Sequence, residues 1–580
     1  MAPDAREMRW DDDVDVAVFG SGAGGMAAAL VAASEGLHVA LYEKTALVGG
    51  TTANSGGGVW MPANVLARQA GIDDSIGKAR RYLKHELGPH FRADLVDAYL
   101  GTIDEALDYY ATRSEVRFQL SNIPDYHAEH DGGVAAGRTL FPLPFDGRRL
   151  GPDFALLRPP WKRFTVLGGM MIGRREIPAL LAPFSSFATF RTVAAMVGRH
   201  ALDRLRYPRG TNLLLGNALA ARLLYSLRRQ NVAIRVEAAL ASLVCKNDEV
   251  IGAIVRTPSG TLRVKARRGV VLATGGFPHG ATWRDTLASS FPFTHSPACE
   301  ANSGDALEAA TRAGAVVDRD LASPAFWTPA SLVAELDGGM TVFPYGHLDR
   351  GKPGAIIVNA RGCRFVNEAD SYHDVVLAMY AGPDREANLR SHLVRDAHFL
   401  RTYGLGAVRP RWPVLKRFVR DGYLVEAGTI AGLARAIGVD PATLERTIAE
   451  HNRDAAAGED AFGKGDSIFN RYNGDPACKP NPCLRPIARP PYYALRLHPA
   501  ALGTSVGLRT DGDARALRED GSPVGGLYAC GNDMAAVMRG YYPAAGITLG
   551  PALVFGYRAG RHLAQVRAAA PRPAAMVSAG

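Results

Sequence analysis

The sequence predicts an α/β fold: a Rossmann-type domain into which an α+β domain is inserted. Three short apolar runs, each stopped by glycine, carry the prediction: residues 14–19 before 20–25, residues 270–273 before 274–276, and residues 526–529 before 530–532. An apolar run of this length bounded by a turn is the pattern of a strand buried on both faces of a parallel sheet. The runs lie far apart in the chain, so one sheet has to gather them. The long stretch between the second and third then has to fold as a separate body.

Local pattern gives the elements in order. Residues 14–19 form a strand, 20–25 a tight turn, 26–34 an alanine-rich helix and 37–42 the next strand, which makes one βαβ unit. Residues 233–267 alternate as short strands around turns and lead into the buried strand at 270–273. The run at 526–532 precedes a glycine-started helix expected over 546–560. The Rossmann-type domain is thus expected over 10–290 and 499–567, the insertion over 291–498, and a flexible tail rich in Ala and Pro over 568–580.

A chain of 580 residues exceeds what one hydrophobic core organises. With 47% hydrophobic and 21% charged residues it is not a disordered chain. The net charge of +10 suits an anionic membrane surface, nucleic acid or an anionic cofactor equally. No nucleic-acid-binding motif selects the second, so no nucleic acid partner is expected. Of six cysteines only Cys478 and Cys483 lie close together, without a second Cys/His pair, so no metal and a reducing compartment are expected. The charged first thirteen residues lack the apolar core of a secretion signal, and no apolar stretch reaches the roughly 20 residues that span a bilayer. These features predict a cytoplasmic protein whose membrane contact, if any, is peripheral on the inner face.

Gly20, Gly22 and Gly25, with Ala23 and Gly24 between them, form G-x-G-x-x-G between a strand and a helix, which lets a pyrophosphate approach the helix N-terminus. Glu43 follows at the end of the second strand, about 20 residues on, where a carboxylate accepts from a ribose. Strand, turn, helix and acid in this order point to a dinucleotide. The run 49–58 then offers Gly50, Thr51, Thr52, Ser55, Gly56 and Gly57 to a long, extended ligand. That favours FAD over NAD. The fragments around Thr274 and Gly275, and around Gly531 and Asn532, resemble the other segments with which flavoproteins having two dinucleotide-binding domains close around FAD.

Nearly the whole chain resembles the succinate dehydrogenase/fumarate reductase flavoprotein superfamily, and its 3-ketosteroid Δ1-dehydrogenase branch best of all. The segments are 49–51, Pro124-Asp125-Tyr126, Ser303-Gly304-Asp305-Ala306, 364–368 with Tyr372, and Tyr542-Pro543-Ala544-Ala545-Gly546. The resemblance implies an inserted catalytic domain that caps the substrate. It adds Lys44, Ala239, Asp305, Gly546, Ile547 and Thr548 to the residues expected around FAD. Thr51 stands where covalent relatives carry a flavin-linking His, so the FAD is expected to be non-covalent. Tyr372 stands where fumarate reductases resemble an Arg, and residues 498–504 do not reproduce their carboxylate-holding motif, so a dicarboxylate would lack its clamp.

Removing hydrogens beside a ketone needs a base for the α-proton, donors for the developing enolate oxygen and a hydride acceptor. By resemblance Tyr542 and the Gly546 N–H hold the C3 ketone of a 3-ketosteroid, Tyr372 takes the C2 proton, Tyr126 assists it toward phenolate, and FAD accepts the C1 hydride. An external acceptor such as a quinone then takes the electrons. Ala544 and Ala545, where the family often has more glycine, bear on steroid preference. The alternatives are a desaturase of another cyclic ketone, at Δ4 of a steroid or on a cyclohexanone, and a non-catalytic lipid-binding flavin-fold protein.

A segment of the first domain stands apart. Residues 148–209 carry twelve Arg/Lys against three acids, interleaved with Trp161, Phe164, Met170, Met171, Leu180, Leu181, Phe184, Phe187 and Phe190. This composition fits an interfacial amphipathic segment or a core-packing helix pair with a basic outer side.

Overall fold

The computed structural model describes residues 9–566 apart from 163–164, 174–175, 336–337 and 412–414. The expectations for the first eight residues, the 568–580 tail and Phe164 fall outside the described residues.

The central sheet gathers the three glycine-flanked runs. Strands Ala233–Arg235, Val39–Tyr42, Asp12–Phe19, Gly260–Leu272 and Pro523–Ala529 lie side by side and parallel. Gly260–Leu272 is long enough to serve twice. Its first half pairs antiparallel with Glu249–Thr257, which pairs in turn with Ala239–Lys246. At Gly20, φ is +101°, and a Cβ there would lie 2.1 Å from the Ala273 carbonyl oxygen. Only glycine allows the first strand to turn off flush against the end of its neighbour.

Two helices with small faces cover the sheet. Ala23–Ser34 packs against Leu549–Gln565, where a Cβ on Gly556 would sit 2.6 Å from the Gly24 carbonyl oxygen and one on Gly560 2.7 Å from the Val31 Cβ. The final helix begins three residues later than the sequence suggests. Gly546 is left-handed at φ +95°, its carbonyl accepts from the N–H groups of Trp60 and Gly550, and it precedes the helix instead of starting it.

The middle of the chain builds two further antiparallel sheets. Met340–Pro344, Ala325–Ala334 and His498–Thr504 form one, and Ala355–Val358, His392–Asp396, Tyr492–Arg496 and Val425–Ala427 the other. At residue 499, where the return to the first domain is expected, the chain is still paired with Ala325–Ala334. Helix Tyr372–Tyr380 packs on that strand and presents its first residue toward the central sheet's glycine turns.

The Arg364–Glu368 segment lies behind this helix start as a buried ionic cluster. Glu368 accepts from the Ile357 N–H at 2.9 Å and from Arg364 at 2.9 and 3.0 Å, with Lys464 at 3.3 Å. Asp460 takes the other side of Arg364 at 2.7 Å. Burial opposes ionisation of Glu368, but Arg364 and Lys464 outweigh it and bring the pKa down from 4.5 to about 2. A depressed carboxyl contributes stability that is present above its unfolded pKa and is lost as pH falls through the folded value. Glu368→Gln should therefore cost about 3 kcal/mol of unfolding free energy at neutral pH. Denaturant titration should also show the unmodified protein losing this contribution between pH 4.5 and 2, while the variant lacks that share of the decline.

Candidate active site

The three glycine turns open on one cavity of about 570 Å³, which also reaches Tyr372 and Tyr542. Gly20, Gly22, Ala23 and Gly24 line it from the first turn, Thr274 and Gly275 from the second, Gly531 and Asn532 from the third. Gly50, Thr51, Thr52, Ser55, Gly56 and Gly57 form a further wall. Gly57 is fixed by its neighbours, since a Cβ would lie 2.3 Å from the Gly216 nitrogen. Gly56 and Gly531 meet no protein atom within 4 Å, so a side chain there would enter the cavity.

Hydrogen bonds among these walls set their shape. Glu43 accepts from the N–H and hydroxyl of Ser21 on one oxygen, and from the N–H and hydroxyl of Thr45, at 2.9 Å each, on the other. A ribose hydroxyl reaching this carboxylate would share with or replace Ser21. Thr52 Oγ1 accepts the Ala23 N–H at 3.0 Å. Thr51 Oγ1 accepts from the Cys299 N–H at 3.0 Å and from Asn302 at 3.2 Å, so the residue at the flavin-linking position of covalent relatives is a structural acceptor. Lys44 pairs with Asp305 at 2.8 Å and donates to Ser303 at 2.6 Å, which ties the second strand's end to the Ser303–Asp305 turn.

Asp533, which the sequence reading missed, holds the second turn. Its carboxylate accepts the Gly276 N–H at 2.9 Å, the Thr274 hydroxyl at 3.1 Å and the Thr274 N–H. Burial raises its pKa to about 6 against these donors. A helix N-terminus, an oriented carboxylate and glycines bare toward the cavity fit a dinucleotide laid across all three turns.

Some expected residues stand elsewhere. Ala238 and Leu240 line the cavity while Ala239, between them on the strand, does not. Gly25 is likewise off the lining; a Cβ would lie 2.0 Å from the Gly20 carbonyl oxygen, so its part is in packing. Ile547 is core, and Thr548 beside it lines the cavity. No metal was expected. Among the described residues, His85, Glu86 and His130 bring ligand atoms within 4.8 Å of one another, but Glu86 is already hydrogen-bonded to His127 and His130.

At the other end of the cavity three tyrosines meet. Tyr126 donates to the Tyr372 hydroxyl at 3.0 Å. The Tyr126 ring stacks on Tyr542 at 5.8 Å, and Tyr372 meets Tyr542 edge-on at 4.9 Å. Tyr372 and Tyr542 line the cavity; Tyr126 stands behind them. Gly546 lines it too, and its N–H has no hydrogen-bond partner among the described residues. Burial is the largest influence on all three hydroxyls and holds each well above the ordinary pKa of 10. The Tyr126 hydroxyl donates to the Tyr372 oxygen, the direction that favours a phenolate there, while burial keeps the Tyr372 pKa raised. The charge of Arg350 also opposes the rise. Arg350, also missed in the sequence, is fully buried and donates to the Glu368 carbonyl at 2.6 Å.

The chain belongs to the FAD binding domain family, whose model matches residues 15–549. Within that family it is an FAD-dependent oxidoreductase. It is 37% identical over 570 residues to a 4-oxocyclohex-2-ene-1-carboxylate 5-dehydrogenase of Sinomonas cyclohexanicum, covering 96% of this chain and 94% of that one. It is 35% identical over 571 residues to a 3-oxosteroid 1-dehydrogenase of Mycobacterium tuberculosis, covering 95% and 98%. Its structure superposes, at a TM-score of 0.87 and 35% identity, on a 3-ketosteroid Δ1-dehydrogenase from Sterolibacterium denitrificans in complex with 1,4-androstadiene-3,17-dione, covering 96% of this chain and all of that one.

Denaturation should release intact FAD into the supernatant, since Thr51 offers no linking atom. Asp533→Ala should weaken FAD binding roughly tenfold or more by leaving buried turn N–H groups unpaired. Fluorescence titration of the apoprotein measures the second effect, and flavin that stays with the denatured chain would contradict the first.

Proposed function

We propose that this flavoprotein removes hydrogens from C1 and C2 of a 3-ketosteroid to give a 1-ene-3-one. The observation that carries the reading is the Tyr126–Tyr372 hydroxyl pair packed on Tyr542, with Tyr372 and Tyr542 lining the same cavity as the FAD-holding turns. Tyr542 and the Gly546 N–H hold the ketone oxygen and stabilise it as negative charge develops. Tyr372 takes the C2 proton. Tyr126 orients the Tyr372 hydroxyl by contact. FAD, when bound, would supply the acceptor for the C1 hydride, and an external acceptor such as a quinone would take the two electrons onward.

A second reading comes from the relative that acts on a carboxylated cyclohexenone. The same tyrosines would serve such a ring. The lining argues against its carboxylate: among the described residues that line the cavity, the only Lys or Arg is Lys44, and Asp305 already neutralises it. A neutral, apolar ring system is the better match. Incubation with 4-androstene-3,17-dione or with 4-oxocyclohex-2-ene-1-carboxylate, followed by identification of the product, separates the two.

The basic insert supports peripheral contact with an anionic membrane. Among the described residues no helix is long and apolar enough to cross a membrane. In helix Phe187–Arg204 only His200 and Asp203 are buried, while Phe184, Phe187, Leu202 and Leu205 are between 69% and 81% exposed. Met170 and Met171 turn inward instead, and Trp161 and Met171 line the cavity. The segment that bears this exposed apolar face therefore also contributes two residues to the cavity lining, which suits a lipid-soluble substrate.

Two outcomes test these readings. Tyr372→Phe should slow flavin bleaching by the steroid about 10²–10⁴-fold, with Tyr542→Phe next and Tyr126→Phe mildest. Because the Tyr372 pKa is raised, the unmodified bleaching rate should climb with pH between 7 and 10, and a flat profile in rapid mixing would count against the phenolate base. On anionic vesicles the protein should float at low salt and detach as salt rises. Phe184→Asp with Phe187→Asp should weaken flotation roughly tenfold or more, as should reversing the charges between Arg158 and Arg175.

A further inference from the structure

Tyr126 and Tyr372 belong to segments 246 residues apart, and their hydroxyls meet at 3.0 Å. Contact between two hydroxyls cannot by itself bring two backbone segments into register. Tyr126 is held on one side by its N–H to the Pro543 carbonyl at 2.8 Å, which the Tyr82 hydroxyl also reaches at 2.7 Å. That fixes Tyr126 relative to Tyr542. It leaves the helix bearing Tyr372 to be located.

The helix packs on strand Ala325–Ala334, and His373 accepts the Trp327 N–H at 3.2 Å; His127, the next residue after Tyr126, reaches the helix from the Tyr126 side. Its Nε2 lies 3.1 Å from Asp374 Oδ2 and its Nδ1 2.7 Å from Glu86 Oε2. Asp374 closes the first turn of helix Tyr372–Tyr380: its side chain accepts from Ser371 Oγ at 2.6 Å, and its N–H donates back to that oxygen at 3.1 Å. Glu86 is braced in turn by His130 Nδ1 at 2.5 Å. Both ring nitrogens of His127 face carboxylates, so both carry protons and the ring is an imidazolium. Burial works against that charge, but Asp374 and Glu86 prevail and raise its pKa to about 11, so the pin stays charged through the working pH range. Other side-chain crossings nearby, Glu129 to the Ile468 N–H and Asn122 to Tyr472, land on helix Ile468–Asn473 and not on the helix of Tyr372.

We propose that His127 is a positioning residue of the tyrosine pair: by joining Glu86 to Asp374 it pins the segment of Tyr126 to the helix that begins at Tyr372, and so sets the two hydroxyls in contact. The inference rests on the assignment of Tyr372 as base. Loss of the pin lets the base drift, and misplacement by about 1 Å costs on the order of 10²-fold in rate. The effect should appear in kcat with little change in KM, because His127 does not itself line the cavity.

The test uses the FAD-loaded full chain. His127→Ala should slow flavin bleaching by 4-androstene-3,17-dione roughly 10- to 100-fold at unchanged FAD content. His127→Gln, which keeps a donor for Asp374, should recover part of that loss. In a Tyr126→Phe background His127→Ala should add little, because both act on the same contact. Independently of any steroid, backbone hydrogen exchange at residues 124–128 and 372–376 should quicken in His127→Ala. If that variant does not fold, Glu86→Gln carries the same measurements. Unchanged exchange, bleaching at the unmodified rate, or losses that multiply fully with those of Tyr126→Phe would each overturn the pin. If the unmodified protein is not bleached by the steroid, the steroid reading fails and the exchange measurement alone decides the pin.

Discussion

The contact of Gly20 with the backbone of Ala273 is the constraint on which the rest of this molecule depends. Two neighbouring parallel strands end level with one another only because the first has no side chain where it turns. From that contact the helix N-terminus at Ala23 and the turn at Thr274 open on the same space. Asp533 then draws the third turn in by accepting two N–H groups of the second. A buried carboxylate is costly by itself, and here its cost is offset by donors that would otherwise be buried without partners.

The tyrosine end obeys a different balance. On the role proposed for Tyr372, excluding water would strengthen every dipole aimed at a substrate oxygen, and the same exclusion makes its phenolate hard to form. Arg350 moderates the conflict from behind, a charge buried deeply enough to be felt without lining the cavity. The Arg364–Glu368 cluster beneath the same helix start gives the stretch preceding Tyr372 a part in stability. Motif residues need not touch a substrate to be indispensable to the site.

Much of this was legible in the sequence, for identifiable reasons. Strands ended by glycines reveal themselves because few other residues can make those turns, so the Rossmann core and its three turns could be read directly. The tyrosines were found through longer segments that resemble a family, not through their own chemistry. What escaped was decided by pairing across the chain. Asp533 and His127 look like ordinary surface residues until their partners at Gly276 and Asp374 are known. Ala239 was displaced by one position because successive strand residues face opposite ways, a choice local pattern does not make. Gly546 read as a helix start although its left-handed backbone places it three residues before the helix.

The Pro543 carbonyl has one last consequence. It takes the Tyr82 hydroxyl and the Tyr126 N–H together, so Tyr126 and Tyr542 form a single mechanical unit anchored in the first domain. The opposite wall, with Thr328, Phe343, Pro344 and Gly406, comes from the inserted region. Tyr372 also comes from the inserted region, so the three tyrosines are complete only where that region meets the unit anchored at Pro543. A substitution that shifts one part of the chain against the other would separate Tyr372 from its two companions without altering any residue of the cavity lining.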